Sequence, residues 1–215
     1  MCSISANNRI GSSILDAAAV LQQGGIVAFP TETYYGLAVD PECERAVAKL
    51  FQVKQRQAYK PLLLLIDRSE QLYDLVSEIP HKYVELMEKF WPGPLTLVFP
   101  ARKDLSRQLT GNTGTIGVRI SPHPIARKLV RKMGKPITAT SANLSGVAPA
   151  KTADEVFEMF QDKVDYILDG GKTAAGLCST VVGLQDGHLT ILREGQADVE
   201  SDLARIEEKI CHEGL

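Results

Sequence analysis

Cysteine, tryptophan and long apolar runs are all scarce in this sequence, and each scarcity excludes something. The four cysteines, Cys2, Cys43, Cys178 and Cys211, lie far apart and without metal-ligand spacing. They suggest neither a disulfide framework nor a zinc site. The four histidines, His81, His123, His188 and His212, are equally scattered. No apolar run exceeds five residues, as at 62–66, which is far too short to span a bilayer. Ser3, Asn7, Asn8 and Arg9 break up the N-terminus, so no signal-peptide core is expected and the chain reads as cytoplasmic.

Net charge is also small. A net charge of −2 argues against bulk coating of nucleic acid. The distribution is less even, with nine Lys or Arg and a single acid, Asp104, between positions 101 and 135, and a mainly acidic stretch from Glu194 onward. For most of these charges a solvated face suffices. The other reading is a local site for an anion.

What remains is an ordinary globular composition, 44% hydrophobic and 23% charged over 215 residues, enough for a sizeable core. Apolar spacing and breaker residues predict helices over 13–21, 42–51, 80–90, 124–133, 152–160 and 199–210. Strands are predicted over 26–29, 62–66, 95–99, 116–120, 136–140, 166–168, 180–184 and 189–192, with Asp186-Gly187 turning the last pair into a hairpin. Thr152 and Glu155 have the spacing of a capping box. Interleaved strands and helices imply a single α/β domain built on a mixed sheet.

Several strands end in polar residues unlike ordinary turn filler. The first runs into Thr31-Glu32-Thr33-Tyr34-Tyr35-Gly36, and the 136–140 strand into Ser141 and Asn143. Ligands in open α/β sheets bind beyond strand ends. Arg119, between apolar neighbours, is costly to bury unless paired, and fits either an exposed edge, a structural ion pair or an anion contact. Lys54, Arg56 and Lys60 also suit a helix C-terminus, while Ser141, Asn143, Thr31 and Thr33 also suit turns. Taken together, several cations and short hydroxyls fit a polyanion and a zwitterion. The common nucleotide and hydrolase signatures are absent. Gly170-Gly171-Lys172-Thr173 lacks the earlier P-loop glycine, Tyr166 standing in its place. No GxGxxG, GxSxG or HExxH occurs.

An ordered set of segments resembles the YrdC/TsaC family, the threonylcarbamoyl-AMP synthases of tRNA modification. They are FPTETYYGL (29–37), KQR (54–56), KPL (60–62), WPGPLTLV (91–98), TIGVRI (115–120), TATSANLSG (138–146), STVV (179–182) and ILREG (191–195). The resemblance implies a twisted α/β sheet around a large basic cavity over 14–195, flanked by an N-terminal extension (1–13) and an acidic C-terminal helix (196–215). It implies the conversion of L-threonine, bicarbonate or CO2 and ATP to threonylcarbamoyl-AMP and pyrophosphate, with Mg2+ accompanying ATP and no organic cofactor. Lys54, Arg56, Ser141 and Asn143 match the family's signature tetrad. By the same resemblance Arg56, Lys60, Thr115, Ser141 and Arg193 would contact ATP, and Thr33, Arg119, Ala139 and Ser179 would hold L-threonine. Leu65 stands where many longer relatives carry a histidine, so that contact is not carried over. Implied partners are tRNA or double-stranded RNA and the machinery that transfers the threonylcarbamoyl group. A double-stranded RNA or tRNA binding module without chemistry is the competing expectation; it would show steep salt dependence and little need for threonine.

Overall fold

The computed structural model describes residues 9–57 and 59–213, so the first eight positions of the expected N-terminal extension, Cys2 among them, lie outside the described residues. In chain order the elements are β1 (Ile10–Gly11), α1 (Ile14–Gln22), β2 (Val27–Pro30), β3 (Tyr35–Ala38), α2 (Glu44–Lys54), β4 (Leu63–Leu65), α3 (His81–Phe90), β5 (Leu95–Pro100), α4 (Arg107–Thr110) and β6 (Thr115–Arg119). They continue with α5 (Pro124–Met133), β7 (Ile137–Thr138), β8 (Thr140–Ser141), α6 (Ala153–Phe160), β9 (Tyr166–Leu168), β10 (Thr180–Gln185), β11 (His188–Arg193) and α7 (Glu200–Glu213).

Local chemistry accounts for the boundaries. Helix α5 starts with Pro124 in its first turn, where a missing N–H costs nothing, and its His123 ring accepts from the Ile125 N–H at 3.3 Å. It ends at Gly134, whose φ of 72° closes the helix in the left-handed region. Its buried face is Ala126, Leu129, Val130 and Met133, at helical spacing. At α6 Thr152 accepts from the Glu155 N–H, as the capping box predicts. The Glu155 carboxylate, however, takes the N–H of Lys151 at 2.6 Å instead of that of Thr152, so the reciprocal half of the box is shifted by one residue. Asp186 and Gly187 both adopt positive φ, 50° and 81°, and turn the β10–β11 hairpin.

The α/β layering is as expected, with the strands shared between two mixed sheets. One has the order β1-β9-β2-β3-β8 and the other β11-β10-β5-β6-β4-β7. The segment predicted as one strand over 136–140 is divided. Thr138 in β7 pairs with Leu64 in the six-stranded sheet, whereas Ser141 in β8 pairs with Gly36 in the five-stranded sheet. Ala139, whose N–H reaches Leu63 O at 2.7 Å, is the crossing point. A strand edge can hydrogen-bond one neighbour at a time, so moving from β4 to β3 requires the break. This crossing joins the two sheets beside the polar strand ends.

One apolar cluster gathers Leu37, Leu50, Leu64, Tyr83, Leu97, Phe99 and Val118, with Tyr83 set edge-on to Phe99 at 5.0 Å. A second packs α1 and α5 against β2 and β9 through Ala17, Leu21, Phe29, Leu129 and Leu168. No helix of the described residues is long and apolar enough to cross a membrane.

Candidate active site

Both sheets contribute to a cavity of about 240 Å³. Its walls come from the β2–β3 loop (Thr31, Thr33, Tyr34), the middle of β5 (Thr96), strand β6 (Thr115, Gly117, Arg119), the sheet crossing (Ala139, Ser141), and the approach to and end of the hairpin (Cys178, Ser179, Arg193), with Arg56 above Pro61. The β2–β3 loop owes its shape to Thr31. Its hydroxyl donates to Tyr34 O at 2.7 Å and accepts from the Thr33 N–H at 3.2 Å. This loop also grips the segment before β10: Ala175 N–H donates to Thr33 O at 2.9 Å, and the Tyr34 hydroxyl to Gly176 O at 2.7 Å.

Three guanidinium groups face this space. Arg119 is 5% exposed at the end of β6. Burial presses against its charge, Glu32 supports it, and Arg193 presses against it again. Arg56 is likewise disfavoured by burial and then by Arg193. Arg193 itself is held by donating to Ser179 O at 2.8 and 3.2 Å and to Ser179 Oγ at 3.1 Å, and Thr96 braces the same hydroxyl at 3.0 Å. Their only acidic partner among the described hydrogen bonds and ion pairs is Glu32, which bonds Arg119 and accepts from Ser121 Oγ at 2.6 Å. Nε of both Arg56 and Arg119 is buried without a partner. Crowded cations with unused donors in a cleft call for an anion.

Behind the wall, Lys54 ends α2 only 3% exposed. Its ammonium donates to the carbonyls of Ser141 and Asn143, and lies 3.4 Å from Asn143 Oδ1. Burial first, and Arg56 second, pull its pKa down to about 7. Asn143 in turn accepts from Ser141 Oγ at 2.5 Å and donates to Leu144 O and Val147 O at 2.9 and 2.8 Å. Lys54 and Asn143 are thus the braces of the loop that presents Ser141 to the cavity.

Of the residues singled out by sequence, the cavity brings together Arg56, Thr115, Ser141, Arg193, Thr33, Arg119, Ala139 and Ser179. Lys54 and Asn143 sit one layer behind, and Lys60 is exposed in the α2–β4 loop, just before the lining residues Pro61 and Leu62 but not itself part of the lining. Leu65 is fully buried beside Arg119 in the register of β4 and β6, within the apolar core. Sequence reasoning gave no role to Glu32, Tyr34, Thr96 or Cys178. Glu32 and Tyr34 do lie in the polar stretch 31–36 that it singled out. Four of the nine cations at 101–135 are held in ion pairs away from the cavity. Arg102 meets Asp104, Arg127 and Arg131 meet Asp67, and Lys135 meets Asp40 and Glu42. Among the described residues no group of three His, Cys, Asp or Glu side chains could hold a metal ion.

A family model named for Sua5, YciO and YrdC, with the description "Telomere recombination", matches residues 19–195. The chain belongs to the Sua5/YciO/YrdC family. A threonylcarbamoyl-AMP synthase of Pyrococcus abyssi is 43% identical over 184 residues, which are 86% of this chain and 54% of that one. The threonylcarbamoyl-AMP synthase of Photobacterium profundum is 39% identical over 74% of this chain and 86% of its own. Among solved structures, the crystal structure of Pyrococcus abyssi Sua5 complexed with L-threonine superposes with a TM-score of 0.85 at 41% identity, over 90% of this chain and 56% of that one. The chain spans about half the length of the Pyrococcus abyssi relative. Within the Sua5/YciO/YrdC match fall both sheets apart from β1, and the whole cavity lining. Helix α7 lies beyond it.

Proposed function

We propose that this chain is a threonylcarbamoyl-AMP synthase, a nucleotidyltransferase that joins L-threonine, bicarbonate or CO2, and ATP and releases pyrophosphate. The observation that carries the reading is the meeting of Arg56, Arg119 and Arg193 around one cavity with a single carboxylate among them. Relatives bear that activity in their names, and one was solved with L-threonine bound.

In this reading Arg119, with Thr33, Ala139 and Ser179 around it, receives the threonine carboxylate. Arg56 and Arg193, with Thr115 and Ser141, receive the phosphates, and Lys60 closes over them from its exposed loop. The threonine amine, as the free base, adds to CO2 and releases a proton to water, forming a carbamate. A carbamate oxygen then attacks the α-phosphorus, and pyrophosphate leaves with the electron pair of the broken P–O bond. Spreading negative charge is the main demand of that step, and fixed guanidinium groups in a dry cleft meet it without an acid–base dyad. Lys54 and Asn143 hold the Ser141 loop at its working distance. Mg2+ bound with ATP would add to the neutralisation of phosphate charge, and among the described residues no carboxylate cluster would hold it.

A cytoplasmic location, tRNA as the final acceptor, and proteins that carry the threonylcarbamoyl group to it belong to the same proposal. The test is pyrophosphate release from ATP by the purified chain, with threonine and bicarbonate each omitted in turn. Release that depends on both supports the synthase. Salt-sensitive binding of duplex RNA with no threonine-dependent release would favour a binding module instead.

A further inference from the structure

Glu32 has no part in the site as derived from the resemblance and does not line the cavity, yet it bonds Arg119, which does. It follows Thr31 in the β2–β3 loop of the five-stranded sheet, and its partner Arg119 ends β6 in the six-stranded sheet. The pair therefore spans the two sheets at the wall of the cavity. Their side chains are 13% and 6% exposed, so neither charge has water to fall back on. The second carboxylate oxygen of Glu32 accepts from Ser121 Oγ at 2.6 Å, and Ser121 Oγ accepts from the His123 N–H at 3.2 Å, just ahead of α5. Glu32 is thus clamped from both sides. One amino group of Arg119 is committed to Glu32, while its Nε has no partner.

A guanidinium has a rigid plane, so fixing one corner fixes the direction of the remaining donors. Arg193 presses on Arg119 from across the cavity, and Glu32 supplies the opposing attraction. We infer that Glu32 is a positioning residue: it sets the plane of Arg119 and so determines how tightly the site takes the carboxylate of an amino-acid substrate. This rests on the synthase reading above. Glu32 touches no reacting atom in this scheme. Its effect is confined to the carboxylate end of the site, leaving phosphate contacts alone.

The test uses the full chain with Glu32→Gln, which keeps the size of the side chain and one acceptor oxygen but removes its charge, and with Glu32→Ala as the harsher change. Threonine affinity by calorimetry, and KM for threonine and ATP with kcat from pyrophosphate release, are read beside the melting temperature. Loss of one charge-assisted contact to Arg119 should raise KM for threonine about tenfold in Glu32→Gln, and further in Glu32→Ala. KM for ATP and kcat at saturating threonine should stay within about twofold. In an Arg119→Lys background, where no guanidinium plane remains to be set, Glu32→Gln should change threonine KM by less than about twofold. Equal losses for both substrates, an additive effect in the Arg119→Lys background, or a Glu32→Gln chain that does not fold would overturn the assignment and make the pair a tie of the fold. A Glu32→Gln protein equal to wild type overturns it as well. Wild type that neither binds nor uses threonine would instead remove the synthase reading, and this assignment with it.

Discussion

Two parts of the molecule hold their cations in opposite ways. Along the seam between α3 and α7 every cation described has a carboxylate. Lys89 meets Asp202 and Lys82 meets Glu207, both at 2.7 Å, while Arg205 and Lys209 share Glu85 at 2.8 and 3.0 Å. In the cavity, Arg193 presses on both Arg56 and Arg119, Lys54 is buried behind them, and Glu32 is the one acid bonded to any of them among the described residues. The seam is a stability device of modest strength, since its pairs keep at least one partner in contact with solvent and such pairs contribute little. The cavity is held against its own electrostatics by the surrounding fold, as a site prepared for an anion must be. Removing a cation should therefore have opposite consequences in the two places.

The sharpest way to break the comparison is Arg56→Ala. Its guanidinium has a buried Nε without a partner and a repelling neighbour in Arg193. Deleting it should leave the melting temperature unchanged or slightly higher. Threonine-dependent pyrophosphate release should fall about 10²–10³-fold, the usual effect of losing one preorganised charge contact, about 2.7–4 kcal/mol. An unfolded Arg56→Ala chain would mean that the cluster is structural and the contrast false.

Lys54 comes next, and its signature is pH. The folded chain holds its pKa near 7, against 10.5 for an ordinary lysine. Below about pH 7 both folded and unfolded chains carry the proton, and the cost of burying the charge is fully present. Between about 7 and 10.5 the unfolded chain keeps a proton that the folded chain has released, so stability rises with pH in this window. The slope from this group is at most about 1.4 kcal/mol per pH unit. Lys54→Met lacks it. Urea unfolding of both proteins at pH 6, 8 and 9.5 should give a difference, wild type minus variant, that grows with pH. A flat difference would show that the three oxygens facing the ammonium keep Lys54 charged throughout.

Smaller again is Ser141→Ala. The Ser141 hydroxyl donates to Asn143 Oδ1 and lines the cavity, so it is open to two roles. As a ligand contact its loss should weaken ATP use by about 0.5–1.5 kcal/mol with the melting temperature nearly unchanged. A variant that melts earlier yet turns over normally per folded molecule would assign Ser141 to the loop alone.

Legibility in the sequence followed the physics of each signal. Helix α5 stands where Pro124, Gly134 and its apolar spacing placed it, because the start, stop and period agree. Strand β3 was missed: its residues, Tyr35–Ala38, are buried on both faces and show no alternation, and they follow directly on a polar loop. The division of 136–140 between two sheets was equally hidden, since local pattern marks an extended segment but not which neighbour it pairs with. Arg119 could be suspected as a charge between apolar neighbours, and it proved buried and paired. That Glu32 is its partner could not be read, because the two lie in different sheets and no sequence spacing relates them. Lys54 looked like a helix-end charge suited to the macrodipole; only the fold reveals that it turns inward to carbonyls more than eighty residues away.

The smallest expected effect completes the contrast from the other side. Lys89 is 57% exposed, and its ammonium reaches both oxygens of Asp202, itself 7% exposed, at 2.7 and 2.8 Å. Lys89→Ala removes one member of the seam and leaves Asp202 with Arg205, 3.5 Å away, so no carboxylate is stranded. An exposed ammonium in such a pair contributes about 0.2–1 kcal/mol, and salt screens it. Urea unfolding should therefore show a loss of that order at low ionic strength that shrinks as salt is raised towards 1 M. Pyrophosphate release should not change, since neither Lys89 nor its partner Asp202 lines the cavity. A Lys89→Ala protein with full stability but reduced turnover would join the seam to the site, and the two ways of holding charge would no longer mark two separate tasks.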